Sequence, residues 1–414
     1  MTKISAFRAV RPTRDKAHLV ASRAVATYKP AILAAKLESN PFTFIHIIHP
    51  EYFEDDDNRT APNTPERFNK VRNKFEAFKK EGVFVQDERE QLYVYRQKKG
   101  DAAFLGVIGG ASAEEYQNDQ IKKHEATLTS REEMFTNYLD IVGFNAEPVL
   151  LSHRKSEHVD ALLNEIIQKR PEYEFTTTDM TSHELWLTTA EETKALQNAY
   201  EEIEAVYIAD GHHRSASSVR LMDLHRERGN YSADKNYNAF LSFFIDEERL
   251  QILPFNRICK SLNGLSSTDF IEKCKAVFEI EEINKQAEIK ELHVFHVYLN
   301  QQWYQFRLKD EYRNFDDAVN AIDAEILTKH ILDPILGIKD LKIDDSISFV
   351  SGDKGKSAIE QAIDNDVYNV GFELYPVTMN QLKSVADEHK IMPPKSTWVE
   401  PKMRSGLTIY KIDE

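Results

Sequence analysis

Cysteine is nearly missing from this chain: among 414 residues there are two, Cys259 and Cys274. Two are too few for a disulfide framework or a cysteine-based zinc site, so both are expected to be reduced and partly buried. Long apolar runs are missing as well. No stretch of about eighteen apolar residues occurs and residues 1–5 carry no apolar leader core, so a soluble, cytoplasmic protein with no membrane partner is expected. Nor is there an excess of positive charge. A net charge of -15 and a pI near 5.5 argue against general nucleic-acid binding, which needs a basic surface facing phosphate. A Rossmann glycine fingerprint, a His-Glu-x-x-His helix and internal repeats are absent too, so the fourteen histidines do not by themselves indicate a structural metal.

What is present supports folding. The apolar share is 41% and the aromatic share 10%, and a chain of this length accommodates two or three domains. Turn residues cluster at Leu262-Asn263-Gly264-Leu265-Ser266-Ser267, which divides the chain into residues 1–262 and 263–414. In the first part, strands are expected at residues 7–10, 42–49, 92–97, 103–108, 149–152, 182–188 and 239–245. Helices are expected from Thr64 to about Lys80, from a capping box at Ser130-Arg131-Glu132-Glu133 to about Val142, and over residues 157–169 and 189–200. Gly106, Gly109 and Gly110 mark a place where backbone approaches a ligand or another strand. The second part alternates helix 268–277, strands 293–299 and 303–308, and helix 316–330, an α+β pattern.

The densest chemistry lies in Val206-Tyr207-Ile208-Ala209-Asp210-Gly211-His212-His213-Arg214-Ser215. Val206, Tyr207 and Ile208 read as a buried strand, Gly211 as a turn, and residues 215–228 as a partly exposed helix. Asp210 or a neighbour then lies at a helix start, where unpaired N–H groups and the macrodipole favour an anion such as phosphate. Arg214, His212 and His213 add donors. Singly, each residue has a plainer explanation: Asp is a common N-cap, and first-turn His and Arg are often only solvated. Together, directly after a buried strand, they concentrate charge where desolvation is costly unless something binds.

Two other stretches add polar groups. Ile121-Lys122-Lys123-His124-Glu125-Ala126-Thr127 is a charged patch ahead of a helix, with solvated surface as the plainer reading of its lysines and Glu125. Met392-Pro393-Pro394-Lys395-Ser396-Thr397-Trp398 continues through Pro401-Lys402-Met403-Arg404-Ser405-Gly406 to strand-like residues 407–412. Cations and prolines without helical periodicity make it either an ordered loop that covers a site or a rigid, solvated connection.

In the blocks Ile121-Lys122-Lys123-His124-Glu125, Ile208-Ala209-Asp210-Gly211-His212-His213-Arg214 and Met392-Pro393-Pro394-Lys395-Ser396-Thr397, the chain resembles domain-of-unknown-function family 1015 over nearly its whole length. Other members often carry a Pro-Pro-Tyr-Asp-like block where this chain has Ser22-Arg23-Ala24-Val25-Ala26-Thr27-Tyr28. The Asp-Gly-His-His-Arg block is also remotely similar to a motif of the ParB/sulfiredoxin superfamily, which includes partition proteins, sulfiredoxin and free-serine kinases. The resemblance implies an α+β fold: a mixed-sheet ParB/sulfiredoxin-like N-terminal part with insertions, then a second α+β domain whose tail loop returns to the site. Sulfiredoxin chemistry requires a cysteine in this turn, and His212 stands there instead.

The kinase branch implies a nucleotide-dependent phosphotransferase, or a nucleotide hydrolase, acting on a small hydroxyl-bearing metabolite such as a hydroxy amino acid, with ATP or ADP and Mg2+. On that resemblance Gly211, His212, His213, Arg214, Ser215, Lys123, Lys395 and Lys402 hold the nucleotide. Asp210 binds the metal or acts as base, and Glu125 with His124 is a second candidate base. The partition-protein branch implies instead a non-catalytic, nucleotide-binding regulatory protein.

Overall fold

Extended apolar segments between residues 4 and 246 build one mixed sheet of nine strands. The computed structural model describes residues 2–414, and Met1, part of the stretch read for a leader, lies outside them. Across the sheet run Ile121–Lys122, Val206–Asp210, Val149–His153, Ala239–Asp246, Ala102–Ser112, Tyr93–Lys99, Thr181–Leu187 and Tyr173–Thr176, with Ile4–Ser5 paired on Ala102–Ser112. Two pairs are parallel, Val206–Asp210 with Ile121–Lys122 and Ala239–Asp246 with Val149–His153; the others are antiparallel. Val149–His153 and Ala239–Asp246 are buried along their full length, as strands covered on both faces must be. Leu151, Ile208, Phe240 and Phe244 pack with Leu163, Leu196, Tyr200 and Leu221 of the covering helices. Each such side chain contributes about 1.5–3 kcal/mol by leaving water. The close approach expected at Gly106 is to another strand: a Cβ there would lie 2.2 Å from the Phe244 carbonyl oxygen.

A second core in the same unit gathers Phe68, Val71, Phe75 and Phe78, the inward face of helix Pro65–Lys80, with Phe44, Phe84, Phe144 and Ile409. Thr64 caps this helix by accepting from the Arg67 N–H at 3.4 Å. Residues 42–49, expected as a strand, contain the short helix Ile45–Ile48 instead. Thr43 to Ile47 are all buried, so the environment does not alternate as a half-exposed strand requires. The capping box at residues 130–133 does not form either. Helix Thr129–Val142 starts after Leu128 without a side-chain cap, and the Glu132 carboxylate accepts from Thr127 Oγ1.

The later part forms an antiparallel sheet in the order Phe278–Ile283, Gln302–Leu308, Val294–Leu299, Val370–Glu373, Gln251–Cys259, Ile347–Ser351, with Thr397–Glu400 added to the first half of Gln251–Cys259. Helix 316–330 shortens to Asp323–Leu327 and a π-helical turn, Thr328–Leu332. Asp323 is tied down by accepting from the His293 N–H at 2.9 Å, and Pro334 follows the turn.

The chain divides into two compact units, one of Met1–Lys123, Thr127–Leu250 and Pro401–Glu414, the other of His124–Ala126 and Gln251–Glu400. The division expected at residue 262 therefore moves. Strand Gln251–Cys259 pairs with Ile347–Ser351 and Val370–Glu373, which places the turn cluster at 262–267 inside the second unit. Residues 401–414, assigned by sequence to the later domain, belong to the first unit. No helix among the described residues is long and apolar enough to cross a membrane.

Candidate functional site

The motif strand Val206–Asp210 lies second from an edge of the nine-stranded sheet. Its pairing with Val149–His153 runs Tyr207 to Ser152 and Ile208 to Leu151, then slips so that Asp210 faces Leu150. Ala209 is the extra residue of a bulge, a device that re-aims the side chain that follows it. Gly211 then adopts φ +106, where a Cβ would be strained and would also lie 3.2 Å from the Arg214 guanidinium. The 16-residue helix begins at His212, not at Ser215 as its polar start suggested. His212, His213 and Arg214 are thus its first turn. Their N–H groups have no carbonyl behind them in the helix, and the first amide to bond back is that of Ser215, to the Gly211 carbonyl at 3.0 Å.

Around this turn the first unit sets a chain of ionic contacts. The Asp210 carboxylate lies 3.2 Å from Lys402 Nζ and 3.8 Å from Arg214 Nη2. Burial pushes its pKa up, but Lys402 and Arg214 outweigh that and hold it below the usual carboxylate range. Arg214 Nη1 donates to the Glu147 carboxylate at 2.9 Å and to the carbonyls of Glu147 and Pro148 at 3.3 and 2.5 Å. Ser405 Oγ donates to the other Glu147 oxygen at 3.1 Å. Arg214 therefore ties the motif helix to the entry of strand Val149–His153, and that hydrogen-bonding end is already engaged. His212 is buried. His213 is half-buried with Nδ1 enclosed and without a hydrogen-bond partner, and burial, aided by Arg131 and opposed by Glu132, lowers its pKa. Ser215 does not offer its hydroxyl outward. It donates to the His212 carbonyl at 3.0 Å, as Ser217 does to His213 at 2.7 Å and Ser218 to Arg214 at 2.9 Å.

Lys123 follows the edge strand Ile121–Lys122, whose parallel register sets Lys122 beside Tyr207. Its ammonium sits 4.3 Å from the Tyr116 ring centroid and 3.4 Å from the Tyr116 carbonyl. The first unit by itself thus brings together Asp210, Gly211, His212, His213, Arg214, Ser215 and Lys402, with Lys123 just past the end of the neighbouring strand. His124, Glu125 and Lys395 belong to the second unit. There His124 is buried and accepts at its carbonyl from the Met392 N–H at 2.8 Å, while Glu125 is exposed. The Lys395 carbonyl accepts from Arg257 Nη2 at 3.1 Å, and its ammonium lies 5.3 Å from the Phe255 ring centroid. Sequence reasoning missed Glu147, Ser405 as its partner, and the bulge at Ala209.

A family model described as Protein of unknown function (DUF1015) matches residues 4–325. No curated protein matches the chain. Among solved structures, a free serine kinase in complex with AMP aligns at 12% identity over 74% of this chain and 91% of its own, with a TM-score of 0.36. SbnI with C-terminal truncation from Staphylococcus aureus aligns at 10% identity, covering 73% of this chain and 87% of its own, with a TM-score of 0.40. For a conserved hypothetical protein from Pyrococcus furiosus the values are 16%, 72%, 95% and 0.33. None of these superpositions is close enough to transfer the role of a residue.

Proposed function

The chain belongs to the DUF1015 family, and from its strand–turn–helix we propose a nucleotide-binding protein that transfers or releases a phosphoryl group, with a small hydroxyl-bearing metabolite such as a hydroxy amino acid as acceptor. The observation that carries this is the start of helix His212–Glu227. Three first-turn amides and the positive end of the macrodipole stand beside a carboxylate flanked by two cations. Phosphoryl transfer asks mainly for positioning and for charge aimed at the phosphate oxygens, which such a turn supplies. The amides of His212, His213 and Arg214 receive phosphate oxygens of ATP or ADP, and Lys402 and Lys123 add positive charge. Arg214 acts chiefly by holding the turn, since Nη1 is already bonded to Glu147 and Pro148.

Asp210 suits Mg2+ better than a proton. A carboxylate held below its ordinary pKa is a weak base but a ready ligand for a hard cation shared with phosphates. The base is then assigned to Glu125 with His124, and Lys395 to the phosphates, on the strength of the family blocks alone. The second reading, nucleotide binding without turnover, is favoured by one observation: the polar side chains at the turn are already engaged, the Ser215 hydroxyl with the His212 carbonyl and the Asp210 carboxylate with Lys402.

The test is to incubate the protein with Mg2+, ATP or ADP and a panel of hydroxy amino acids, following phosphate transfer. Transfer that disappears in Asp210→Ala supports the phosphotransferase. Binding without transfer or hydrolysis supports the regulatory protein, and no binding of any nucleotide defeats both.

A further inference from the structure

A cavity of about 430 Å³ opens in the first unit, beside the motif helix, and lies within the size range of small-ligand sites. Phe68, Met134, Phe135 and Tyr138 supply apolar and aromatic walls. We propose that this cavity seats the purine base of the nucleotide whose phosphates the start of helix His212–Glu227 holds, an inference that rests on the function proposed above. Continuity is the first argument. Arg214 lines the cavity and is also the first-turn residue whose guanidinium packs over Gly211, so the cavity and the phosphate-binding turn share a side chain.

Charge is the second argument. The cationic residues in the lining already have partners: Arg214 pairs with Glu147 at 2.9 Å, and Arg67 with the buried Glu51 at 2.5 Å. Burial and the nearby Arg67 keep His49, also in the lining, below its ordinary pKa and therefore neutral near pH 7. A charged head group would have to break one of these pairs, whereas a neutral flat ring would not. Shape and chemistry agree with this. Aromatic walls stack any base through its π face, and the Asn145 amide in the lining is suited to a base edge with both donors and acceptors.

The experiment compares binding of ATP, adenosine and inorganic triphosphate to the full chain and to Met134→Trp, which fills the cavity from a partly buried position on helix Thr129–Val142. The wild type should bind ATP more tightly than triphosphate. Met134→Trp should weaken ATP by about tenfold or more, the scale of one lost base–aromatic stack, and abolish adenosine binding while leaving triphosphate within about twofold. Circular dichroism checks the fold, and Phe135→Leu replaces Met134→Trp if the latter is unfolded. Triphosphate binding as tightly as ATP, or ATP affinity unchanged in a folded variant, overturns the base pocket and leaves the phosphate-binding turn standing. A variant that keeps ATP affinity but loses the response to a hydroxy amino acid reassigns the cavity to the acceptor, and so also overturns it. If the wild type binds neither ATP nor triphosphate, the turn fails and the base pocket with it.

Discussion

Gly211 is the residue on which the local geometry turns. At φ +106 any other residue occupies a region that costs about 1–2 kcal/mol. Gly211→Ala should lower the urea midpoint accordingly and displace Arg214, whose guanidinium would meet the new methyl at 3.2 Å. Asp210 makes a pH prediction with a definite sign. Its pKa in the folded protein is below that of an unfolded aspartate, because Lys402 and Arg214 outweigh the cost of burial. Its contribution to stability is therefore present above the ordinary value of about 3.9 and is lost as pH falls below it. Acid titration of stability should show a shallower fall in Asp210→Asn than in the wild type below about pH 4, while their slopes between pH 6 and 8 should match.

The motif helix packs through small side chains. Ser215, Ala216, Ser217 and Ser218 are all buried, and Thr136 Oγ1 of the neighbouring helix Thr129–Val142 donates to the Ser217 carbonyl at 3.2 Å. At Ser218, which is buried and lies outside the cavity lining, a longer side chain has nowhere to go. Ser218→Leu should cost about 1–3 kcal/mol by overpacking, measured by urea denaturation. The strand and the turn were legible because Val206-Tyr207-Ile208 is an apolar run and Gly211 follows it. The helix start was read late because His-His-Arg looks like loop, although a first turn tolerates polar residues whose amides need no partner in the helix. Glu147 was not legible because its bond to Arg214 spans 67 positions, and no local pattern encodes such a pair. Residues 42–49 misled because their apolar spacing resembles a strand, whereas Thr43 to Ile47 are buried in succession without alternation.

At the scale of the whole chain, residues 401–414 carry more of the first unit than their place at the end suggested. Lys402 meets Asp210, Arg404 meets Asp179 at 2.7 Å, Ser405 meets Glu147, and Ile409 exchanges backbone hydrogen bonds with Val10. Leu407, Ile409, Tyr410 and Ile412 are buried. At about 1.5–3 kcal/mol each, their loss is comparable to the whole stability of a typical domain, about 5–15 kcal/mol. A chain ending at Glu400 should show no cooperative melt of the nine-stranded sheet by circular dichroism. A sharp transition near the wild-type temperature would mean that the tail is an accessory.

Amide hydrogen exchange across residues 206–218, recorded with and without saturating Mg2+ and ADP, bears most closely on the phosphate-binding turn. The amides of His212, His213 and Arg214 should exchange more slowly when nucleotide is present, because phosphate oxygens cover them. Nucleotide bound with exchange at these three unchanged, and slowed elsewhere, would contradict it.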